Sequence, residues 1–279
     1  VVEISNALDS KVRVPVSQAG GVWYVNGDDL YGLSDEESTI TIPVKSDYDY
    51  TVDMPAWITG EKVKEGYNFT LTENTTGNAR KGTVIFKSQK GTKEITFVQF
   101  GVNDIAGTYE ATYSTFGEGD DWVSETVKIE LLQDEENEAV FYADGLSSIR
   151  GVVLPLKFDG ETYQLSALNG QYLGFIESQK WYLYTIVRSE AGYVHADTSL
   201  SYPAIAELDV DDEELMPFFP FKDKKGFSFT GETGTIKSFI DAIGVYVFAS
   251  KSPTFGNNNN LGYYDIFKDL SIKKIKADH

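Results

Sequence analysis

Residues 107–113 read GTYEATY, and this stretch decides the fold class. Tyr109, Ala111 and Tyr113 fall on one side of an extended chain, and the polar residues between them fall on the other. After an acidic loop at 117–122 (GEGDDW), residues 126–131 (TVKIEL) repeat the alternation. Period-two alternation in runs separated by turn-forming residues predicts antiparallel strands with one buried face.

The same signal recurs to the end of the chain. We predict further strands near residues 139–143, 152–158, 162–168, 171–176, 180–188, 227–230, 244–249 and 270–275. This succession of short strands predicts a meandering antiparallel β-barrel or a large sandwich. Residues 209–221 (DVDDEELMPFFPF) contain two prolines and predict a loop or a short helix, and residues 253–260 predict a loop.

The N-terminal part of the chain has shorter alternating runs. Val12, Val14 and Val16 share one predicted strand face, and residues 26–38 (NGDDLYGLSDEES) predict a polar, acidic loop. The composition changes at residues 101–104. We therefore predict an all-β protein with two domains: an immunoglobulin-like sandwich at 1–102 and a barrel-like domain, lipocalin-like or a large sandwich, at 103–279.

Composition excludes several classes of function. The chain has 24 Lys and Arg against 43 Asp and Glu, a formal net charge of −19. Polyphosphate binding requires basic residues, so we expect neither nucleic acid nor an anionic membrane surface as a direct ligand. The absence of cysteine excludes a disulfide scaffold, a thiol nucleophile and a Cys-ligated zinc site.

The first residues read as part of a strand region and lack the basic and apolar pattern of a signal peptide. We therefore expect the sequence to be the mature part of a longer precursor. In that case a signal peptide, and with it a lipid-carrying cysteine that anchors the protein to a membrane, has been removed.

Four segments of the N-terminal region share a spacing with a known family. They are residues 39–46 leading into DYDYTV, PAWI at 55–58, LTENTTGNARKGTVIF with Asn74 and Arg80, and ITFVQFG at 95–101. In these segments residues 39–101 resemble the BACON domain, a small immunoglobulin-like sandwich of Bacteroidetes surface proteins. The resemblance implies a supporting module, although the long loop between Gly21 and Ser38 departs from the compact family pattern.

Two segments of the second domain carry a looser likeness. They are DIAGTYEATYSTFGEGDDW at 104–122 and NGQYLGF at 169–175. They resemble the β-rich C-terminal domains that follow BACON modules in gut Bacteroidetes lipoproteins, and a strand that opens with Gly-Thr-Tyr also resembles the start of lipocalin-like barrels. The resemblance implies an extracytoplasmic protein, at the outer-membrane surface or in the periplasm, associated with glycan capture.

Aromatic residues are the first candidates for ligand contacts. In KWYLYTIV at 180–187, Trp181 and Leu183 share one face, and Tyr182 and Tyr184 share the other. A closed barrel explains both faces without a ligand, and a cavity lined by these side chains would equally suit a small ligand. Trp23 lies beside the long loop. Adjacent residues of a strand face opposite ways, so either Trp23 or Tyr24 must leave the core.

Trp122 is the second candidate. It follows the acidic loop with Asp120 and Asp121 beside it, and we expect it to be exposed at the barrel mouth. A ring for stacking and carboxylates that accept hydroxyl protons would suit a sugar, whereas a strand-start anchor would use the same tryptophan without any ligand. Trp57 is predicted to serve the core of the sandwich.

The residues for catalysis are few. His195 is the only internal histidine, and no Gly-x-Ser-x-Gly segment is present to position a nucleophilic serine. The sequence predicts no cofactor, and two histidines cannot build a usual catalytic zinc site. Acidic runs at 209–214 and 120–121 could contact calcium, but they lack the spacing of known calcium loops and are typical of solvated loops.

Three hypotheses remain open. The first is a non-catalytic surface protein that binds glycan or another small ligand in its C-terminal domain. The second is a carbohydrate-active hydrolase with paired carboxylates, and the third is a protein-interaction module without a small ligand. A deep pocket with two facing carboxylates would favour the hydrolase, a shallow strip of exposed aromatic residues would favour glycan binding, and a filled barrel with neither would favour the interaction module.

Overall fold

A computed structural model describes residues 2–5, 11–14, 21–119, 121–211, 214–231, 234–256 and 258–276. The all-β class predicted from the sequence is confirmed, and the one helix among these residues is the 3-10 turn Val102–Asp104. The chain folds as two compact units. The first comprises residues 1–31, 37–72 and 82–97, and the second comprises residues 32–36, 73–81 and 98–279.

Ten strands belong to the N-terminal part of the chain. They are β1 (Val2–Ser5), β2 (Lys11–Val14), β3 (Trp23–Val25), β4 (Leu30–Leu33), β5 (Ser38–Ser46), β6 (Tyr50–Asp53), β7 (Ile58–Val63), β8 (Gly66–Leu71), β9 (Arg80–Ser88) and β10 (Gly91–Gln99). Strands β1 and β2 form a hairpin, and the others form two four-stranded sheets with the orders β3-β5-β8-β7 and β4-β10-β9-β6.

The two sheets pack face to face through aromatic side chains. Phe69 of β8 lies 5.8 Å from Phe86 of β9 and 5.6 Å from Phe97 of β10 between ring centroids. All three are fully buried, so alternate residues of both sheets supply one core. Gly66 begins β8 at φ +155°, and a Cβ there would lie 2.0 Å from the Ile42 carbonyl oxygen, so only glycine fits this approach.

One prediction for this region is wrong. The segment 26–38 was expected to be a loop, but it contains β4, which pairs with β10. Short edge strands carry little hydrophobic alternation, because only one of their edges and one of their faces meet the rest of the fold. The face predicted for Val12, Val14 and Val16 falls outside the described side chains.

Fourteen strands belong to the second unit. They are β11 (Gly107–Phe116), β12 (Trp122–Gln133), β13 (Val140–Asp144), β14 (Leu154–Asp159), β15 (Gln164–Leu168), β16 (Tyr172–Ile176), β17 (Trp181–Ser189), β18 (Val194–His195), β19 (Ser201–Ile205), β20 (Phe218–Pro220), β21 (Phe227–Gly231), β22 (Gly234–Ser238), β23 (Ile240–Phe248) and β24 (Asn260–Lys274). Twelve of them form one antiparallel sheet. Ten follow the path β16-β17-β23-β24-β11-β12-β13-β14-β15-β19, while β18 pairs with β17 and β20 pairs with β24, and β21 and β22 form a separate hairpin.

The long sheet curls until its far end approaches its middle. Strand β20 pairs with the C-terminal half of β24, through Phe219 opposite Ile272. It also meets β19 and the segment after it through single bridges, Ala204 to Phe221 and Glu207 to Phe218. These contacts join β19 back to β24, so eight strands form a ring and β16, β17 and β23 extend from it.

Strand β20 lies inside the segment that the sequence predicted as a loop or short helix. Pro217 precedes it and Pro220 is its last residue, and a proline cannot donate a backbone hydrogen bond. The strand is only three residues long, so two prolines are tolerated at its ends. Strand β24 also begins ten residues earlier than predicted, because bulges opposite Tyr246 and Phe248 break its alternation.

The inside of the curled sheet is filled by its own side chains. Large residues of this core include Tyr109, Phe141, Tyr202, Phe219 and Phe267, each no more than 1% exposed. A barrel of about eight strands has an interior that side chains can fill, which matches this packing. In the described part of the chain, no helix has the length and apolar character needed to cross a membrane.

Candidate functional site

Strand β17 separates two kinds of surface. Leu183 and Val187 belong to the filled inner core, with Trp181 packed partly against it. Tyr184 and Ile186 belong to a second cluster on the opposite side of the sheet. The division of the KWYLYTIV segment into two faces was therefore predicted correctly, and the inner face meets core side chains rather than an open cavity.

The opposite side of the sheet carries a continuous aromatic surface, which we call the outer aromatic face. Its members are Tyr172 and Phe175 of β16, Tyr182 and Tyr184 of β17, Tyr246 and Phe248 of β23, Tyr263 of β24, and Phe255 of the loop between β23 and β24. Antiparallel register aligns them, since Tyr172 and Tyr246 lie opposite Tyr184 in the two neighbouring strands. Cross-strand partners point to the same side of a sheet.

Rings of this face contact one another from β16 to β24. The centroid distances are 5.3 Å for Tyr172 and Tyr184, 4.6 Å for Phe175 and Tyr182, 5.7 Å for Tyr184 and Phe248, 5.1 Å for Phe248 and Tyr246, and 4.8 Å for Tyr246 and Tyr263. Spacings of this size are favourable for aromatic pairs. The rings therefore hold each other in place and form a preorganised surface.

Exposure changes across the face. Tyr184 and Phe248 are buried, whereas Tyr172 is 49% and Phe175 39% exposed, and Tyr182 between them is half-buried. The loop after β23 covers the buried part, because the Tyr184 hydroxyl donates to the carbonyl of Lys251 and Phe255 packs against Phe248. The open part of the face is thus a shallow strip on β16 and the start of β17.

Charged groups lie at one end of the same side of the sheet. Arg188 Nη1 donates to Asp241 Oδ2 at 2.7 Å, and both side chains are largely buried. Burial raises the pKa of the Asp241 carboxyl, and the Arg188 charge opposes that effect. The guanidinium also lies 5.3 Å from the ring centre of Trp122, and the Lys268 ammonium lies 5.5 Å from it.

Trp122 was expected to be exposed, but the structure places its ring against other side chains. Its ring is half-buried, packs 4.9 Å from Phe116 and faces two cations, so it serves as a strand-start anchor. Asp121 is exposed beside it, and Asp120 falls outside the described residues. A sugar site built from Trp122, Asp120 and Asp121 stays a prediction.

In the first unit, Trp23 and Tyr24 point to opposite sides of β3. Trp23 is half-buried and lies 5.5 Å from Tyr50 between ring centroids, whereas Tyr24 is 57% exposed. The tryptophan is thus the member of the pair that packs inward. Trp57, expected to serve the core, is half-buried and packs over Gly82, where a Cβ would lie 2.7 Å from its ring.

His195 packs among aromatic side chains. Its Nε2 lies 3.4 Å from the Ser189 hydroxyl, and its ring packs edge-on against Phe227 and Phe229. Burial lowers the pKa of this imidazole. Ser189 is fully buried and its hydroxyl also bonds the Tyr193 carbonyl, so the pair has the contacts of packing and not of an accessible nucleophile.

Two neighbouring carboxylates are both buried. Asp104 Oδ2 accepts from the amide of Gly101, and Asp35 Oδ2 accepts from the amide of Asn103. They are 0% and 5% exposed, respectively, so neither can meet a glycosidic bond from solvent. Over the described ranges, no group of three or more acidic or histidine side chains is arranged to hold a metal ion, while Asp212 and Glu213 lie outside those ranges.

Several members of the outer aromatic face escaped prediction as site residues. Tyr172, Phe175, Tyr246, Phe248 and Tyr263 are distant in sequence from one another and meet only through strand pairing. The sequence does show that aromatic residues are frequent there, since each predicted strand near 172, 182 and 246 carries two of them two or three positions apart. That signal needs the strand order before it indicates one surface.

No protein-family model and no curated protein match this chain. Among solved structures, part of the chain is similar to a Bacteroides ovatus GH5 xyloglucanase in complex with a XXXG heptasaccharide, with a TM-score of 0.26 and 19% sequence identity. The alignment covers 29% of this chain and 20% of that chain. A likeness of this extent identifies neither a fold nor a function.

Proposed function

We propose that the protein is a non-catalytic, extracytoplasmic lipoprotein that binds glycan on the open strip of its outer aromatic face. The N-terminal sandwich, which resembles the BACON domain, acts as a spacer, and a lipid anchor attaches the protein to a membrane. The observation that carries the proposal is the pair of exposed rings of Tyr172 and Phe175, with the half-buried ring of Tyr182 packed beside Phe175.

The chemistry of the strip suits a neutral sugar. A pyranose presents a flat apolar face of C–H bonds, which packs on an aromatic ring, and hydroxyls at its edge, which need hydrogen-bond partners. Tyr172 and Tyr182 offer both a ring and a hydroxyl, and Phe175 adds a third ring that contacts Tyr182. Because cross-strand contacts already order the rings, little side-chain entropy is lost on binding.

The shape of the strip favours a chain of sugars over a single small molecule. A small apolar ligand needs an enclosed pocket that buries most of its surface, and the inside of the curled sheet is filled by core side chains. A shallow row of rings contacts successive residues of an oligosaccharide, each with modest energy. We therefore expect weak binding that increases with oligosaccharide length.

A glycan array probed with the full chain, followed by calorimetry with the best oligosaccharide, tests the proposal. Tyr172→Ala and Phe175→Ala should each weaken binding about tenfold, in keeping with the loss of one stacking ring. Tyr264→Ala is the matched control, since Tyr264 is 48% exposed but packs near Trp181 at the other side of the sheet. Absence of binding to every glycan, or equal losses in the control, would contradict the proposal.

A further inference from the structure

The second unit contains a cavity of about 750 Å³ outside the outer aromatic face. Among the residues that the structure describes, its wall includes four basic side chains and one acidic side chain, Arg80, Lys81, Lys274, Lys276 and Glu214. In a chain with 24 basic and 43 acidic residues, a surface of this composition runs against the overall charge. A concave surface lined by one sign of charge concentrates ligands of the opposite sign.

Lys274 is the central group of this cavity. It is only 6% exposed, and its ammonium donates to the carbonyl oxygens of Gly77 at 2.9 Å and Asp104 at 2.8 Å. An ammonium has three donors, and these two bonds use two of them. Among the described residues, no carboxylate oxygen lies within ion-pair distance of it, so its charge is buried without a directly bound counter-ion.

The carboxylate of Asp104 interacts with the charge of Lys274 but bonds other groups. Asp104 Oδ1 accepts from Asn74 Nδ2 at 3.3 Å, and its Oδ2 accepts from the amide of Gly101 at 3.0 Å. Asp104 therefore acts on Lys274 through space, and burial still lowers the pKa of the lysine. Holding a charged ammonium in such a place costs free energy unless an anion meets it.

The other basic groups are fixed in position around it. Arg80 donates through Nε and Nη2 to the side-chain oxygen of Gln99, at 2.9 and 2.7 Å, and Lys81 donates to the carbonyl of Val210 at 2.7 Å. Lys276 is exposed at the rim and pairs with Glu214. The arrangement is a buried ammonium with further positive charge at fixed positions on the same wall.

We propose that this cavity binds a small ligand through an oxyanion, carboxylate or phosphate, that contacts the Lys274 ammonium. Its volume lies within the range of small-molecule pockets and accommodates a ligand the size of a monosaccharide. No residue of the outer aromatic face lines it, so this site goes beyond the proposed glycan strip. Either can fail while the other holds.

Calorimetry on the full chain at low ionic strength, with glucuronate, inorganic phosphate and glucose as probes, tests the site. Glucuronate, phosphate or both should bind, and glucose should not. Lys274→Met should weaken the affinity for the oxyanion about tenfold or more, as expected for loss of a buried charged partner. Lys273→Met is the matched control, because Lys273 is exposed on the adjacent position of β24. It should change the affinity by less than about twofold.

A buried lysine can be needed for folding, so a second variant keeps the test decisive. Lys276→Gln alters an exposed side chain at the rim and should weaken binding about threefold with the fold intact, as judged by circular dichroism. The proposal is overturned if neither oxyanion binds, or if glucose binds as tightly as glucuronate and Lys274→Met weakens both equally. An unchanged affinity for the oxyanion in a folded Lys274→Met variant also overturns it. If that variant does not fold, an unchanged affinity in Lys276→Gln overturns it instead.

Discussion

The two sides of strands β17 and β23 are both rich in large side chains, yet they differ in kind. The inner side contributes Leu183, Val187 and Val245 to a core that also holds Phe219 and is closed to solvent. The outer side carries mainly tyrosines, and its exposure rises toward β16. One side is therefore built to exclude water completely, and the other keeps polar atoms at a partly wet surface.

This difference teaches where stability and binding reside in the same sheet. Aliphatic and phenyl groups stabilise the fold in proportion to the surface they remove from water. A tyrosine at a half-exposed position removes less surface and retains a hydroxyl that can bond a ligand. Substitutions on the inner side should therefore act on folding, and substitutions on the open strip should act on binding.

The largest expected effect is on the inner side. Phe219 is fully buried, and its ring lies 6.4 Å from Tyr109 and 6.5 Å from Phe100 between centroids. Phe219→Ala should lower the free energy of unfolding by about 3 to 5 kcal/mol, because it leaves a cavity in a packed core. Urea denaturation followed by intrinsic fluorescence measures this loss.

Phe219→Leu is the matched control for that variant. It keeps most of the apolar volume and should cost about 1 to 2 kcal/mol. A loss below about 1 kcal/mol for the alanine variant would mean that β20 does not close the ring of strands as described.

The next effect concerns the buried carboxyl of Asp104. Burial is the main cause that raises its pKa from 3.8 to about 6. The folded state therefore binds a proton more tightly than the unfolded state. Its contribution to stability is fully present below pH 3.8 and is lost as the pH rises through 6, by about 3 kcal/mol at most.

Asp104→Asn isolates this contribution, since the asparagine does not titrate. The difference in unfolding free energy between the native protein and the variant should shift against the native protein as the pH rises from 4 to 7. Urea denaturation at several pH values measures it. A difference that is constant with pH would show that Asp104 does not titrate in this range.

The sequence was sufficient where alternation is regular. Strands β11, β12 and β17 were predicted with their faces, because large apolar residues recur at every second position. In β11 and β12 one face meets the core, and in β17 the two faces meet two different clusters. It was insufficient at β4, β20 and β24. The first two are too short to show a period, and bulges shift the period of the third.

The candidate site was predicted only in part for a related reason. Tyr182 and Tyr184 were chosen because they lie two positions apart in one strand. Tyr246 and Phe248 join them only because β23 pairs with β17, about 60 residues away in the chain. The order of strands in a sheet is not evident from a single sequence. Lys274 gave no signal at all, since a lysine near the end of a strand is usually exposed.

The smallest expected effect on stability is on the open strip, and it is the sharpest test of the comparison. Phe175 is 39% exposed, and its ring centroid lies 4.6 Å from that of Tyr182. Phe175→Ala should lower the free energy of unfolding by less than about 1.5 kcal/mol, since only part of its surface leaves a packed contact. Urea denaturation of this variant beside Phe219→Ala measures the contrast with the same change of side chain. If both variants lose the same stability, the open strip is part of the core, and its rings are held for folding instead of for a ligand.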